Sequence, residues 1–304
     1  MTITTSEKRI KRVSGKPLSS FSVMTAYLNI PFRPRSIKAT FKLIKSVIAV
    51  FFCLQFGKKW GFLNIPVVHV DHPLDKKIPF LPRKVDTYLS FINFWICPMT
   101  MLIHRYGAHN AMLFCREWLE LLTKTYDEAG RLYRFRLTTM ERPSYHKGQF
   151  FTIHFFDPHL LCVPSLHIAI IVLCYSFYRM LFEREEFTEA EKTQWKGELY
   201  DQAVAIADSV LYVKQHSVNC VPAALYMISK VFPNLFKPTD AVQFIGDMFA
   251  EPEGMTKETA AEVREHLLFV YEQFLLEGAH EDDWRSPVQR WLVSYGQERS
   301  EKEN

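Results

Sequence analysis

An all-α fold, a helical bundle, is what this sequence predicts, and three observations carry that prediction. The chain has only 11 glycines in 304 residues, runs for long stretches without turn residues, and repeats apolar side chains at helical spacing. A many-stranded sheet needs more frequent turns. With 48% hydrophobic and 14% aromatic residues, the chain can bury a sizeable core, which excludes a disordered protein.

Residues 1–36 read as a basic, loosely ordered arm, because Pro17, Pro31 and Pro34 discourage a long helix. A helical core is expected over 37–247, followed over 248–304 by a C-terminal amphipathic helical segment and tail. In the core a first helix is expected from about Ser36 to Phe56, then a loop over 65–82, rich in Pro, His and Asp. Helical spacing resumes near Val85 and again over 110–126, where Met112, Leu113, Trp118, Leu119, Leu121 and Leu122 supply the apolar face. Residues 130–164 are irregular, polar and aromatic, the kind of connection on which sites are built. An apolar helix after Pro164 ends in a charged run, Glu183-Arg184-Glu185-Glu186, and Thr188 with Glu191 spells a capping box that starts another. Residues 256–278 form an amphipathic helix that Gly278 stops, and 299–304 read as a solvated tail.

Charge is distributed unevenly. Residues 1–100 carry 16 Lys and Arg against 4 Asp and Glu, a balance of +12, whereas the remainder carries 21 against 29, or −8. Phe41-Lys42-Leu43-Ile44-Lys45 and Lys58-Lys59-Trp60 interleave the basic residues with aromatics. That combination suits an anionic membrane surface, and a solvated basic face or tail is the plain alternative. Nucleic acid is not expected as a partner, since no binding motif accompanies the charge. No apolar run reaches the ~18–20 residues of a clear spanning helix, and no signal peptide is evident at the start. The expectation is a membrane-associated helical protein, with a soluble cytoplasmic bundle as the alternative. The six cysteines are scattered, most of them inside apolar runs, which favours buried free thiols in a reducing compartment.

Two short stretches carry the chemistry. Pro164-Ser165-Leu166-His167 places a serine and a histidine in the first turn of a helix begun by the proline, near free N–H groups that attract phosphate. The second, Ser209 through His216, puts another serine and histidine seven apart, on one face if that segment is helical. Metal-free phosphate transfer needs one imidazole to attack phosphorus, a second to protonate the leaving oxygen, and donors around the remaining oxygens. A core histidine with a satisfied hydrogen bond is the plain reading of His167 alone. His154, Asp157, His159 and Cys162 offer metal-ligand chemistry on one loop, but at no familiar spacing, so ordinary loop polarity is the simpler account.

In order and spacing these stretches resemble the second and third signatures of the type-2 phosphatidic acid phosphatase and haloperoxidase superfamily, especially its branch of inositol phosphorylceramide synthases. The Pro-Ser-x-His signature matches Pro164, Ser165 and His167. The third signature matches at Ser209 and His216, with Val210 where arginine is usual and Cys220 where the orienting aspartate is usual. Arg142-Pro143 fits the end of the first signature, and Arg134 or Arg136, flanking Phe135, stands for its lysine. The resemblance covers roughly residues 134–225.

The resemblance implies a helical fold with the motif loops converging at one end. It implies lipid-phosphate hydrolysis or phosphotransfer without metal or other cofactor, with His216 as nucleophile and His167 as acid. Ser165, Arg142, Arg134 or Arg136, Lys214 and Ser209 would bind phosphate. The substrate class implied is a phosphorylated lipid. Cys220 puts catalysis in doubt, since a neutral thiol does not stabilise an imidazolium as a carboxylate does. Asn219, Asp208 or Asp157 are the candidates to replace it, and a catalytically degenerate lipid-binding or purely structural protein is the alternative.

Overall fold

The computed structural model describes residues 6–303, with side chains through residue 297. It is 71% helix and 2% strand, which establishes the all-α class. Short helices Glu7–Val13 (α1) and Val23–Asn29 (α2) open the described chain. The segment expected to be a loose arm is therefore folded from residue 6 onward; residues 1–5 lie outside the described residues. Val13, Leu18, Phe21, Ala26 and Ile30 are buried, Arg9 donates to the Tyr106 carbonyl (2.8 Å), and Trp195 Nε1 donates to the Lys16 carbonyl (2.9 Å). The prolines limit helix length, not order: they sit between short helices whose apolar residues anchor the segment.

The expected first core helix is present as Ile37–Val47 (α3), a π-helical turn over Ile48–Phe52, and Cys53–Lys59 (α4). The expected loop over 65–82 contains a three-residue strand, Val67–His69 (β1), and a helical turn, Pro73–Lys77 (α5). Both are too short to register as a periodic pattern. Val85–Leu89 (α6) leads into the long helix Phe91–Tyr133 (α7), which kinks at Gly107, where φ is 78° and ψ 155°. A side chain there would strain the backbone and strike the Arg9 guanidinium.

Leu137–Thr139 (β2) pairs in parallel with β1, Val67 opposite Leu137. Gln149–Phe156 (α8) follows, then the apolar Leu166–Arg184 (α9), Glu189–Tyr212 (α10) and Cys220–Val231 (α11). Pro238–Asp247 (α12), Lys257–Glu277 (α13) and Arg285–Glu303 (α14) complete the chain, α14 running through the expected tail.

Helix α9 packs among α7, α10 and α11, and α13 packs on α11. Trp118, Phe177, Tyr178, Phe182 and Trp195 fill this core. Among the described residues α9 alone is long and apolar enough to cross a membrane, with a mean hydropathy of 1.5, yet 72% of that window is buried inside the fold. Its all-round apolarity is explained by neighbours on every side. The capping box expected at Thr188 and Glu191 is present, and the same Glu191 carboxylate accepts from the buried Arg105 at 2.8 Å. Arg105 also donates to the Glu186 carbonyl (2.5 Å), so both terminal nitrogens of the charge that enters the core are engaged, while its Nε is buried without a partner.

Candidate functional site

The loop between α8 and α9 is stitched to the small strand pair. Thr138 N–H donates to the Leu160 carbonyl (3.0 Å), Cys162 N–H to the Thr138 carbonyl (3.2 Å) and Val163 N–H to Thr138 Oγ1 (2.7 Å). Tyr133 Oη donates to the Pro164 carbonyl at 2.5 Å. Ser165 is the N-cap of α9: its Oγ accepts from Ile168 N–H (3.4 Å), while its own N–H donates to the Cys220 carbonyl (3.3 Å). That bond joins the start of α9 to the start of α11. His167 lies in the first turn of α9, as expected, although Pro164 precedes the helix instead of opening it.

His216 arrives from the other side. Helix α10 ends at Tyr212, and the chain turns through Lys214, whose φ is 55°, before α11 begins at Cys220. Ser209 and His216 therefore do not share a helix face. His216 stands in a turn, with Nε2 3.4 Å from His167 Nδ1. The rings of Tyr88 and Phe91 flank His167, with centroids at 4.8 and 4.7 Å.

Both histidines reach a cavity of about 650 Å³. Its walls are apolar, from Val47, Phe51 and Phe52 of the α3–α4 segment, Leu89, Ile92 and Tyr126 beyond it, and Ile153 and Phe156 of α8; its polar end holds Asp157, His159, His167 and His216. The cavity thus joins apolar walls to a pair of imidazoles.

Behind His216 lies a group the sequence did not assemble. Cys162 Sγ, Cys220 Sγ and a ring nitrogen of His216 are all within 4.8 Å of one another, and all three residues are buried. His216 Nδ1 is buried and makes no hydrogen bond. His159 has a left-handed φ of 65°, a strained position for a residue other than glycine. Its Nε2 sits 2.8 Å from the Gln215 carbonyl and 3.3 Å from Cys162 Sγ, and its N–H donates to Asp157 Oδ1 (2.9 Å). His159 and Cys162 belonged to the loop set weighed for metal chemistry; His154 instead pairs with His146 (Nδ1 to Nδ1, 3.2 Å).

The electrostatics follow from burial and these contacts. Burial, then the neighbouring His216 and the Arg142 charge, push His167 down to about 3 against the opposing pull of Asp157, so its resting form is the neutral imidazole. Burial opposes ionisation of Cys162, but Cys220, His159 and His216 together carry that thiol well below its ordinary range. Burial and the nearby Cys162 charge hold Cys220 well above its own. Burial likewise opposes ionisation of Asp157, and Arg142 and His159 prevail to keep it below the usual carboxylate range.

The other expected phosphate ligands fall out differently. Arg142 does not line the cavity and lies beyond Asp157, with which it is paired, Nη2 to Oδ2 at 2.8 Å and Nη1 to the backbone carbonyl at 3.2 Å, with Nε buried and unpartnered. Arg134 is exposed and Arg136 stacks over Phe135 (5.5 Å); neither lines the cavity. Lys214 Nζ donates to the carbonyls of Asp75 and Ile78, and Ser209 Oγ donates to the Ile206 carbonyl (2.7 Å) within its own helix. Those residues hold the turn before His216 and do not face the imidazole pair.

Of the candidates for the orienting carboxylate, Asp208 accepts from Phe249 N–H (3.1 Å), and Asn219 is committed to Val70, Tyr295 and His266. Asp157 alone reaches the cavity. The aromatic walls of the site, Tyr88 and Phe91, come from segments that carry no motif, so nothing in the sequence marked them.

No protein-family model, curated protein or solved structure matches this chain.

Proposed function

We propose that the protein transfers a phosphoryl group from a phosphorylated lipid, to water or to a second alcohol, at an anionic membrane surface. The observation that carries this reading is the 3.4 Å approach of His216 Nε2 to His167 Nδ1 at the polar end of an apolar cavity of about 650 Å³. Such a volume suits an acyl or prenyl chain, with the phosphate left at the imidazoles.

In this reading the lone pair of His216 Nε2 attacks phosphorus, the bond from phosphorus to the lipid oxygen breaks, and His167 gives its proton to that oxygen. A bound phosphate dianion supplies the negative charge that brings the neutral His167 to its protonated form. Water or an alcohol then attacks the phosphohistidine, neutral His167 takes its proton, the P–N bond breaks to restore Nε2, and inorganic phosphate (from water) or a new phosphate ester (from an alcohol) leaves. Cys162, whose ionisation Cys220, His159 and His216 favour, stands beside His216, where the family's usual aspartate is replaced by Cys220. Arg142 meets the phosphate by exchanging Asp157 for it, and a planar guanidinium suits either partner.

The outer surface supports the membrane part. Phe41, Ile44, Ile48 and Phe52 form an exposed stripe along the α3–π segment, interleaved with exposed Lys38, Lys42 and Lys45, and Phe151, Phe155 and Phe156 are exposed on and beside α8. These elements also wall the cavity, so its mouth and the apolar surface belong together.

The pairing of Arg142 with Asp157 favours a second reading, a protein that binds a phosphorylated lipid without turning it over. The test is phosphate release from phosphatidic acid and prenyl diphosphates by the purified chain in excess chelator, beside His216→Ala. Release by the parent, lost in a folded variant, is the expected result. Lipid binding with no release by either protein selects the second reading.

A further inference from the structure

We propose that Cys162, Cys220 and His216 form a zinc site. Their ligand atoms lie within 4.8 Å of one another, all three residues are buried, and they come from two separate segments that the fold brings together. In a tetrahedral zinc site, edges between thiolate and imidazole ligands are about 3.5–3.8 Å, from bond lengths of about 2.3 Å to sulfur and 2.0–2.1 Å to nitrogen. From that 4.8 Å bound the cluster needs to contract by at most about 1.3 Å to reach those edges. His216 Nε2 faces His167, so Nδ1, buried and without a hydrogen bond, is the nitrogen turned to the metal. An unpartnered buried nitrogen beside two sulfurs is a cost that a cation removes.

The surroundings complete the chemistry. Two thiolates neutralise a divalent ion, which suits a dry interior, and the soft donor set selects zinc over magnesium or calcium. His159 Nε2, which meets the Gln215 carbonyl at 2.8 Å, also lies 3.3 Å from Cys162 Sγ, and His167 is placed to accept from the free N–H of His216 as an outer partner that fixes ligand orientation.

Zinc and phosphoryl transfer would then exclude each other at one ring. A metal on Nδ1 leaves the proton on Nε2, and that nitrogen has no lone pair with which to attack phosphorus. Zinc would silence the enzyme, and a chelator would release it; this consequence alone rests on the phosphoryl-transfer reading.

The test is metal content of the full chain, purified under reducing conditions without added chelator, and again after stripping and reloading with zinc or cobalt. The proposal expects about one equivalent of zinc and a thiolate-to-metal charge-transfer band with cobalt. Cys162→Ser and Cys220→Ser should lose both, while Cys97→Ser, a buried thiol elsewhere, should keep both. As a measurement that needs no variant, a mercurial titration of the parent should release its zinc in step with thiol modification. No zinc uptake, retention in both site variants, or a Cys162–Cys220 disulfide in place of metal would overturn the site. Metal bound with lipid-phosphate turnover never observed would leave the site standing and remove the phosphoryl-transfer reading. Turnover by protein that takes up no zinc would do the reverse, and turnover unchanged by stoichiometric zinc would overturn the silencing.

Discussion

His216 owes its position to a turn, not to a helix. Val218 N–H donates to the buried Asp75 carboxylate (2.9 Å), Lys214 caps the carbonyls of Asp75 and Ile78, and His159 meets the Gln215 carbonyl. The residues around it thus serve one purpose, to hold an imidazole against His167. Lys214, expected to bind phosphate, is better understood as a strut of that turn. At the same scale Asp208 makes a separate prediction. Burial raises it to about 7, although Phe249 N–H, Lys84 and Arg264 pull the other way. From about pH 4 to about 7 the folded chain keeps a proton that the unfolded chain has released, so this group lowers stability as pH rises through that window and no further above it. Asp208→Asn keeps an acceptor for Phe249 and removes the effect. Its melting temperature relative to the parent should rise between about pH 5 and about pH 8; a pH-independent difference would show that Asp208 titrates normally.

Among the elements, the capping box of α10 is tied to α7 by one ion pair. Arg105 and Glu191 have side chains 2% and 4% exposed, and Ser14 of the N-terminal segment adds a hydrogen bond to the same carboxylate at 2.6 Å. Removing the arginine leaves an uncompensated buried charge. Arg105→Leu should therefore destabilise the fold by about 3–5 kcal/mol in denaturant titration, and a loss under about 1 kcal/mol would mean that water replaces the guanidinium.

Elements with strong local signals were legible in the sequence: the Thr188–Glu191 box and the helix between Thr256 and Gly278 stand where expected, with Thr256 as N-cap. The N-terminal segment was not, because its order comes from contacts with Tyr106, Glu191 and Trp195, far away in sequence. The site divides in the same way. The two histidines announced themselves by motif and do meet. The thiol pair behind His216 did not, since Cys162 and Cys220 are joined only by the tie between α9 and α11. Spacing alone also placed Ser209 on the wrong footing, because it assumed that α10 continued to residue 216.

At the scale of the whole molecule, the exposed Lys38, Lys42 and Lys45 stand on the same α3–π segment whose Val47, Phe51 and Phe52 wall the cavity. Exposed lysines near an anionic bilayer contribute about 1 kcal/mol each, and that attraction weakens with salt. Replacing Lys38, Lys42 and Lys45 with glutamine should weaken co-sedimentation with phosphatidylserine vesicles by roughly 100-fold at low ionic strength. The parent should lose binding as salt rises. Binding that ignores both changes would assign the basic face to solvent.

The central claim is that His216 carries the phosphoryl group. Its most direct measurement is rapid quenching of the metal-stripped protein with labelled phosphorylated lipid, followed by peptide mapping of the label. An acid-labile, base-stable phosphoenzyme on His216, absent from His216→Ala, is the predicted result. Turnover with no label on His216, or label on another residue in both proteins, would contradict it.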